Sequence, residues 1–371
     1  MKNMMGIINL YEKNRHIIEL TNHRPVAAIP FLGRYRIIDF ALSNMSNSGI
    51  TNVGVFIQEK PRPLTEHLGD GKYWELAGKK DGLFIFYPYY NTVNNLYTTE
   101  IKTFKENLDY IKASEQEYVI ITSSYMVCNI DYTVALEHHK RLKGDITLLY
   151  KQVDNANEEF LGCDIIDLDK SGRVQDIKIN RGEKSVRNIS MEAYIMKREF
   201  LLELIEKASN LSAYFSLRET LAYMAKDYTI NTFEFKGYLI CINTLAAYYK
   251  YSMELLNPSI RAKLFKEHRP IYTVVRDNPP AFYGSDIRVV NSLVANGSIL
   301  EGTVENSIIA RGVKIGKGAV VKNSILMSRC VVEEDVNLQC VIADKNTIFS
   351  RVKEIKGTEE EPLVFEKNSI I

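Results

Sequence analysis

Residues 291–330 read NSLVANGSILEGTVENSIIARGVKIGKGAVVKNSILMSRC. An apolar residue recurs about every sixth position through this run. Aligned hexads form three columns: Val294, Ile309, Leu326 and Ile342; Leu300, Ile315, Val332 and Ile348; Val304, Val321 and Leu338. Within a column the steps are 15 to 17 residues, and the phrase Asn-Ser-apolar returns at Asn291, Asn306 and Asn323. Self-similarity at a fixed period, with small or turn-forming residues between, predicts a parallel β-helix of three short strands per coil. A single coil cannot bury its inward side chains, so the coils must stack. A β-sandwich would show strand spacing without this register. Gly312, Gly316 and Gly318 imitate a phosphate loop, but Gly318 and Ala319 stand where such a loop needs Lys and then Ser or Thr. They read as corners of coils, where glycine's backbone freedom is needed.

Upstream, residues 1–245 alternate strand-like and helical runs. Asn52–Gln58, Tyr118–Thr122 and Ile146–Tyr150 are short and rich in β-branched or aromatic residues, which suits buried strands. Amphipathic stretches at Ile101–Lys112, Thr133–Lys143 and Arg198–Lys207 lie between and beyond them. Such alternation predicts an α/β domain with a Rossmann-like, mixed and mainly parallel sheet. Residues 246–268 read as a connecting helix, and Asp277-Asn-Pro-Pro-Ala281 breaks regular structure, since paired prolines neither continue a helix nor donate to a ladder. The expected organisation is therefore 1–245, a linker over 246–286, and the β-helix over 287–371.

The 371 residues are long enough for two domains with a core each. Lys and Arg number 47 against 46 Asp and Glu, so the net charge is +1. That balance leaves no excess for wrapping a nucleic acid or coating an acidic membrane. The five cysteines, at 128, 163, 241, 330 and 340, are scattered, with no C-x-x-C. They suit neither a disulfide framework nor a zinc site. Glu12, Lys13, Arg15 and Glu19 interrupt any apolar run near the N-terminus, against a signal peptide or membrane span. The expectation is a soluble cytoplasmic protein.

Gly33-Arg-Tyr-Arg-Ile-Ile-Asp-Phe-Ala-Leu-Ser-Asn44, followed by Asn47-Ser-Gly-Ile50, resembles the G-[KR]-[FY]-R-x-I-D-F-x-L-S-N-x-x-N-S-G-I segment of bacterial glucose-1-phosphate adenylyltransferases (ADP-glucose pyrophosphorylases). Asn278-Pro-Pro-Ala281 and Asn291-Ser-Leu-Val-Ala-Asn-Gly297 resemble that family's entry into its β-helix, which in the family is left-handed. The resemblance fails where the chemistry is done. The family's glycine-rich triphosphate loop aligns with Leu10–Ile17, which holds no glycine and places Glu12 near phosphate. In R-A-K-P-A the lysine becomes Val26. The two Mg²⁺-binding aspartates of G-D-H-I-Y-x-x-D-Y and G-Y-W-R-D-V-G-T become Tyr125 and Cys241. Neither a phenol nor a buried thiol supplies the hard oxygen ligands that Mg²⁺ wants. The Glu–Lys pair of F-x-E-K-P becomes Ile179 and Asn180, while A-S-M-G-I-Y survives in part as Ile189-Ser-Met-Glu-Ala-Tyr194.

Among single residues, Asp39 reads as a structural hydrogen-bonder, and His67 and Cys241 as buried structural groups. His138 and His139 are adjacent on a helix and point apart, so they cannot share a metal. Arg24, Arg36 and His23 fall where the resemblance is strongest; in the family, basic residues of this region line an anion pocket for sugar-phosphate or phosphate effectors. The resemblance thus implies a GlgD-type regulatory subunit with no catalytic residues of its own. It would bind no cofactor, Mg²⁺ being used by a catalytic glucose-1-phosphate adenylyltransferase partner in a hetero-oligomer, expected as a tetramer, that makes ADP-glucose for glycogen. No nucleic acid or membrane partner is expected. A self-sufficient nucleotidyltransferase with an atypical site and a ligand-free scaffold remain the alternatives. Hexapeptide acyltransferase activity is disfavoured, because residues 269–371 contain no histidine to act as base.

Overall fold

The computed structural model describes residues 3–11, 17–78, 80–87, 99–211, 216–285 and 287–371. They form two compact units, and neither is one continuous stretch. The first takes Met1–Asn14, Phe40–Cys241 and Glu267–Tyr272; the second takes Arg15–Asp39, Ile242–Lys266 and Thr273–Ile371. The divisions expected at 245 and 286 follow chain order, whereas the units follow what packs together. Residues 15–39, which the sequence groups with the α/β region, are counted with the hexad coils.

In the first unit the described strands are β1 (Met4–Asn9), β2 (Val53–Phe56), β3 (Leu83–Phe86), β4 (Tyr118–Thr122), β5 (Ile146–Val153), β6 (Asp164–Leu168), β7 (Val174–Ile179), β8 (Arg187–Lys197) and β9 (Ile230–Glu234). They build one sheet in the order β7-β6-β8-β4-β1-β2-β3, with β5 between β8 and β9. Pairs β1–β2, β1–β4, β2–β3 and β5–β9 are parallel, while β8 runs antiparallel to β4, β5 and β6. Alternate residues of the central strands, such as Met5, Ile7, Val119 and Ile121, share one core with Phe104, Leu201, Leu204 and Leu221 of helices on that face. Helix Tyr132–Leu142 covers the opposite face: its His139 bonds Thr147, which alternates with the core residues Ile146 and Leu148.

Two helical expectations need correcting. Ile101–Lys112 is not one helix but two, Glu100–Glu106 and Leu108–Ala113, broken at Asn107 where ψ turns to +27°. The run 246–268 likewise divides into Leu245–Glu254 and Pro258–Leu264. Asn257 caps the second helix through Ser259 N–H, and Pro258 cannot continue the first.

In the second unit, residues 282–365 wind through three five-stranded parallel sheets. Val304, Val321 and Leu338 stack in register, as do Leu300, Ile315 and Val332, and Val294, Ile309 and Leu326. In the last coil the register departs from the expected columns. Leu326 pairs with Ala343 rather than Ile342, and Val332 with Phe349 rather than Ile348. Both steps are 17 residues (326 to 343, 332 to 349), and Phe349 is fully buried while Ile348 is not. Apolar character alone cannot choose between adjacent apolar residues; the longer coil period does.

The Asn-Ser phrase has a clear physical use. Asn291, Asn306 and Asn323 take left-handed backbone at a corner, with φ of 45–47°. The next residue builds a ladder between coils. Ser307 N–H donates to Ser292 Oγ (3.0 Å), Ser324 N–H to Ser307 Oγ (3.1 Å) and Val341 N–H to Ser324 Oγ (3.1 Å). Each hydroxyl in turn donates to a carbonyl two residues back, on Val290, Glu305 or Lys322. Gly312 and Gly318 also stand at positive φ (70°), as coil corners.

The chain segment before residue 39 is fixed to these coils. Gly33 has φ of 76°, and an added Cβ would stand 3.3 Å from the Ile309 carbonyl oxygen. Tyr248 Oη donates to Pro30 O (2.8 Å) and Tyr249 Oη to Asn323 O (2.6 Å). Ile315 lies at the centre of the stack's core. Ile315→Asp would bury an unpaired carboxylate at a cost of several kcal/mol, so cooperative thermal unfolding followed by circular dichroism should lose the transition of this unit.

Candidate functional site

Two short strands, Met126–Cys128 and Leu239–Cys241, pair antiparallel, with Cys241 opposite Met126. Tyr125 precedes the first strand and Cys241 ends the second, so the two metal-aspartate positions converge as the sequence comparison implies. What stands there is self-contained. The Tyr125 hydroxyl donates to the Glu192 carboxylate, and the Cys163 and Cys241 sulfurs lie 3.3 Å apart. Burial, then the neighbouring Glu192 charge, pushes the Tyr125 phenol well above its usual range. Burial and the bond with Cys163 do the same to the Cys241 thiol. Both groups are therefore neutral at physiological pH.

Glu192 has φ of 48°, at a register shift where β8 passes from Ser190 to Ala193 against β5. This is where the A-S-M-G-I-Y wording places glycine, which explains the left-handed backbone. Next to it, Asp164 is raised to about 8, by burial first and by the Glu192 charge second, with Arg218 (3.5 Å) pulling the other way.

The Glu–Lys replacements do not contribute a charge. Asn180 is buried, and its amide donates to Ala156 O (2.8 Å) and Phe160 O (2.9 Å) while its oxygen accepts from Gly182 N–H (3.1 Å). It clamps a loop. Ile179 is exposed at the end of β7. Val26 belongs to the second unit, fully buried in a tight turn over Val26–Ala28. Glu12 lies outside the described residues. His138 and His139 do point apart, to Thr232 O (3.0 Å) and Thr147 Oγ1 (2.8 Å).

A Mg²⁺ ion does not fit this donor set. A neutral phenol and a neutral thiol occupy the two expected positions, Glu192 is held by Tyr125, and Asp164 is largely protonated at neutral pH. Among the described residues, no group of three or more His, Cys, Asp and Glu is placed to hold a metal.

The anion candidates are in the second unit. Arg24 is buried and paired with buried Asp344, with the Met327 sulfur 3.9 Å away. Arg36 N–H donates to Asp39 Oδ2 (2.9 Å), the structural role expected of Asp39. Both guanidiniums act on Lys345, whose ammonium is lowered to about 7 by burial first, then by Arg36 and Arg24, with Asp344 opposing. The structure therefore groups Arg24 and Arg36 around a lysine that the sequence reading missed. His23 is exposed beside Arg24 in the chain.

Glu192, Cys163, Asp344 and Lys345 all escaped the sequence reading. Only Glu192 left a signal there, as a charged residue where the matched wording has glycine.

Residues 15–258 match the nucleotidyl transferase family model, and residues 280–361 match the model of the GlmU-like C-terminal hexapeptide. With the three parallel sheets, the latter makes the coils a left-handed β-helix. The chain is similar over 99% of its length to the glycogen biosynthesis protein GlgD of Bacillus subtilis (strain 168), at 36% identity and covering 96% of that protein. It is similar at the same identity to GlgD of Geobacillus stearothermophilus, covering 97% of it. It is 31% identical to the glucose-1-phosphate adenylyltransferase of Thermosipho africanus, over 87% of this chain and 78% of that one. No helix among the described residues is long and apolar enough to cross a membrane.

The raised Asp164 gives a signed pH dependence. Between its unfolded value near 3.9 and about 8, the folded state holds a proton that the unfolded state has lost. This group therefore makes stability fall as pH rises through that window. Asp164→Asn should raise the melting temperature most near pH 8 and least near pH 4, and a scan of both proteins across that range checks it.

Proposed function

This chain belongs to the nucleotidyl transferase family, on its glucose-1-phosphate adenylyltransferase branch and with GlgD as full-length relatives, and we propose that it is a regulatory subunit without catalysis of its own, acting in glycogen biosynthesis. It assembles with a catalytic glucose-1-phosphate adenylyltransferase chain and tunes ADP-glucose formation from ATP and glucose 1-phosphate. The observation that supports this most directly is the pairing at Tyr125 and Cys241. Phosphoryl chemistry of this kind relies on a divalent cation to neutralise charge building on the attacked phosphorus. Here the two positions for its carboxylates hold neutral groups engaged with Glu192 and Cys163. Val26, buried and apolar, supplies no cation to phosphate. The reading of an active enzyme with an atypical site would have to recruit Glu192 and Asp164, and each already has a different engagement.

Regulation is assigned to the cluster of Arg24, Arg36 and Lys345. A phosphorylated metabolite there would meet Arg36 and the Lys345 ammonium, with Arg24 held in place by Asp344. Because Lys345 titrates near 7, an anion that favours its charged form is bound more tightly as pH falls through that value and more weakly as pH rises above it.

The purified chain, free of host enzyme, should make no ADP-glucose from ATP, glucose 1-phosphate and Mg²⁺. Turnover at an ordinary enzymatic rate, about 1–10³ s⁻¹, would overturn the proposal. Tyr125→Asp combined with Cys241→Asp should remain inactive, since catalytic parts that act as a unit are not restored piecemeal. Mixing with a catalytic subunit should give a heavier species of altered activity, read by mass measurement and kinetics.

A phosphorylated effector should raise this chain's melting temperature and change the activity of the mixed oligomer. Arg36→Ala should weaken both together, because one coupling free energy links them. Losing one or two charge-assisted hydrogen bonds, each about 1.5–3 kcal/mol, weakens half-saturation roughly tenfold or more. Effector titrations at pH 6.5 and 8 should show tighter binding at the lower pH. An unchanged half-saturation for Arg36→Ala, with the oligomer intact, would move the effector site elsewhere.

A further inference from the structure

We propose that Cys163 and Cys241 are a modification site: a buried dithiol that a peroxide converts to a disulfide, locking the loop before β6 to the strand that ends at residue 241. The sulfurs already stand 3.3 Å apart, and both cysteines are buried. Their approach is imposed by backbone rather than by side-chain rotation alone. Cys163 N–H donates to Phe160 O (3.1 Å), and its own carbonyl accepts from Asn180 N–H (2.8 Å). Phe160 and Gly162, both just before it in the chain, take left-handed backbone, at φ of 56° and 77°. Asn180 clamps this same loop through Ala156 and Phe160. On the other side, Cys241 is fixed in register opposite Met126. The two thiols, each on backbone fixed by its own hydrogen bonds, thus meet with their sulfurs 3.3 Å apart.

Cys330 makes the contrast. It is also buried, but its thiol donates to the Asp344 carbonyl oxygen at 3.1 Å and serves the coil. Cys163 and Cys241 instead meet each other where the family's chemistry has been lost.

The reaction balances with the peroxide as two-electron oxidant. One thiol attacks hydrogen peroxide, breaking the O–O bond to give a sulfenic acid and one water. The second thiol displaces the sulfenic hydroxyl as a second water, leaving the S–S bond. Each thiol proton leaves with a water. Burial first, then Cys163 and the Glu192 and Glu159 charges, raise the Cys241 thiol, and Tyr125 lies beside it. The thiolate is therefore scarce at neutral pH and the reaction is slow, as befits a response to sustained rather than momentary oxidant. Intracellular disulfides, where they form, are commonly redox-sensing. This inference does not depend on whether the chain turns over substrate.

The full chain, fully reduced and desalted, is treated with hydrogen peroxide at pH 8.5, alkylated under denaturing conditions and mapped by mass spectrometry. The expected result is the loss of two hydrogens from the intact mass and a peptide pair joined through Cys163 and Cys241 that dithiothreitol separates. Cys163→Ser and Cys241→Ser should each abolish the joined pair. The wild-type map decides the matter even if either variant fails to fold. The proposal is overturned if both cysteines stay fully alkylatable at a peroxide dose that oxidises exposed methionines, or if they end as separate sulfinic or sulfonic acids with no joined peptide.

Discussion

The buried ion pair between Arg24 and Asp344 ties the chain segment before residue 39 to the fourth coil of the β-helix. Burying two charges costs several kcal/mol per ion, repaid only when every donor and acceptor is used. Here the requirement is met for the carboxylate. Asp344 Oδ1 accepts from Lys345 N–H at 2.6 Å, and Oδ2 takes Arg24. The Asp344 backbone is fixed as well, its N–H donating to Phe365 O and its carbonyl accepting from Thr347 Oγ1. Around that pair, Gly33 can approach the Ile309 carbonyl, and Tyr248 can reach Pro30. A polar contact between residues 320 positions apart thus joins the first and last of the three stretches that make up the second unit.

At the positions that the resemblance aligns with metal aspartates, the first unit carries Tyr125 and Cys241. Carboxylates gathered for a metal repel one another without it. At Tyr125, Cys241 and Asn180 the side chains meet internal partners: phenol to Glu192, thiol to thiol, amide to loop carbonyls. Beside them Asp164, raised by burial and by the Glu192 charge, holds its proton at neutral pH.

How much of this was legible depended on range. The β-helix was readable because its signal is periodic, and even the Asn-Ser phrase had a local cause in left-handed corners and a serine ladder. The columns slipped only at Ile342 and Ile348, where two apolar neighbours compete and nothing local separates inside from outside. The helix breaks at Asn107 and Asn257 were hidden because apolar periodicity continues across them. The degenerate positions Tyr125 and Cys241 could be named from wording alone, and the short strands bring them together. Their partners could not. Cys163 and Glu192 are distant in sequence from what they touch, and Lys345 looks like any coil lysine until Arg24 and Arg36 are folded beside it.

The two units therefore differ in one electrostatic respect that bears on function. In the first, burial keeps the Tyr125 phenol and the Cys241 thiol neutral. In the second, burial, Arg36 and Arg24 lower the Lys345 ammonium while Asp344 raises it. Low dielectric makes such an imbalance costly, and the fold relieves it by letting Lys345 give up its proton near neutrality. That relief is reversible in a way that the Tyr125 and Cys241 contacts are not. An anion bound there, as proposed, would favour the charged form of Lys345. The proposed regulatory role rests on this cluster, where a buried lysine beside two arginines would gain its charge when an anion binds.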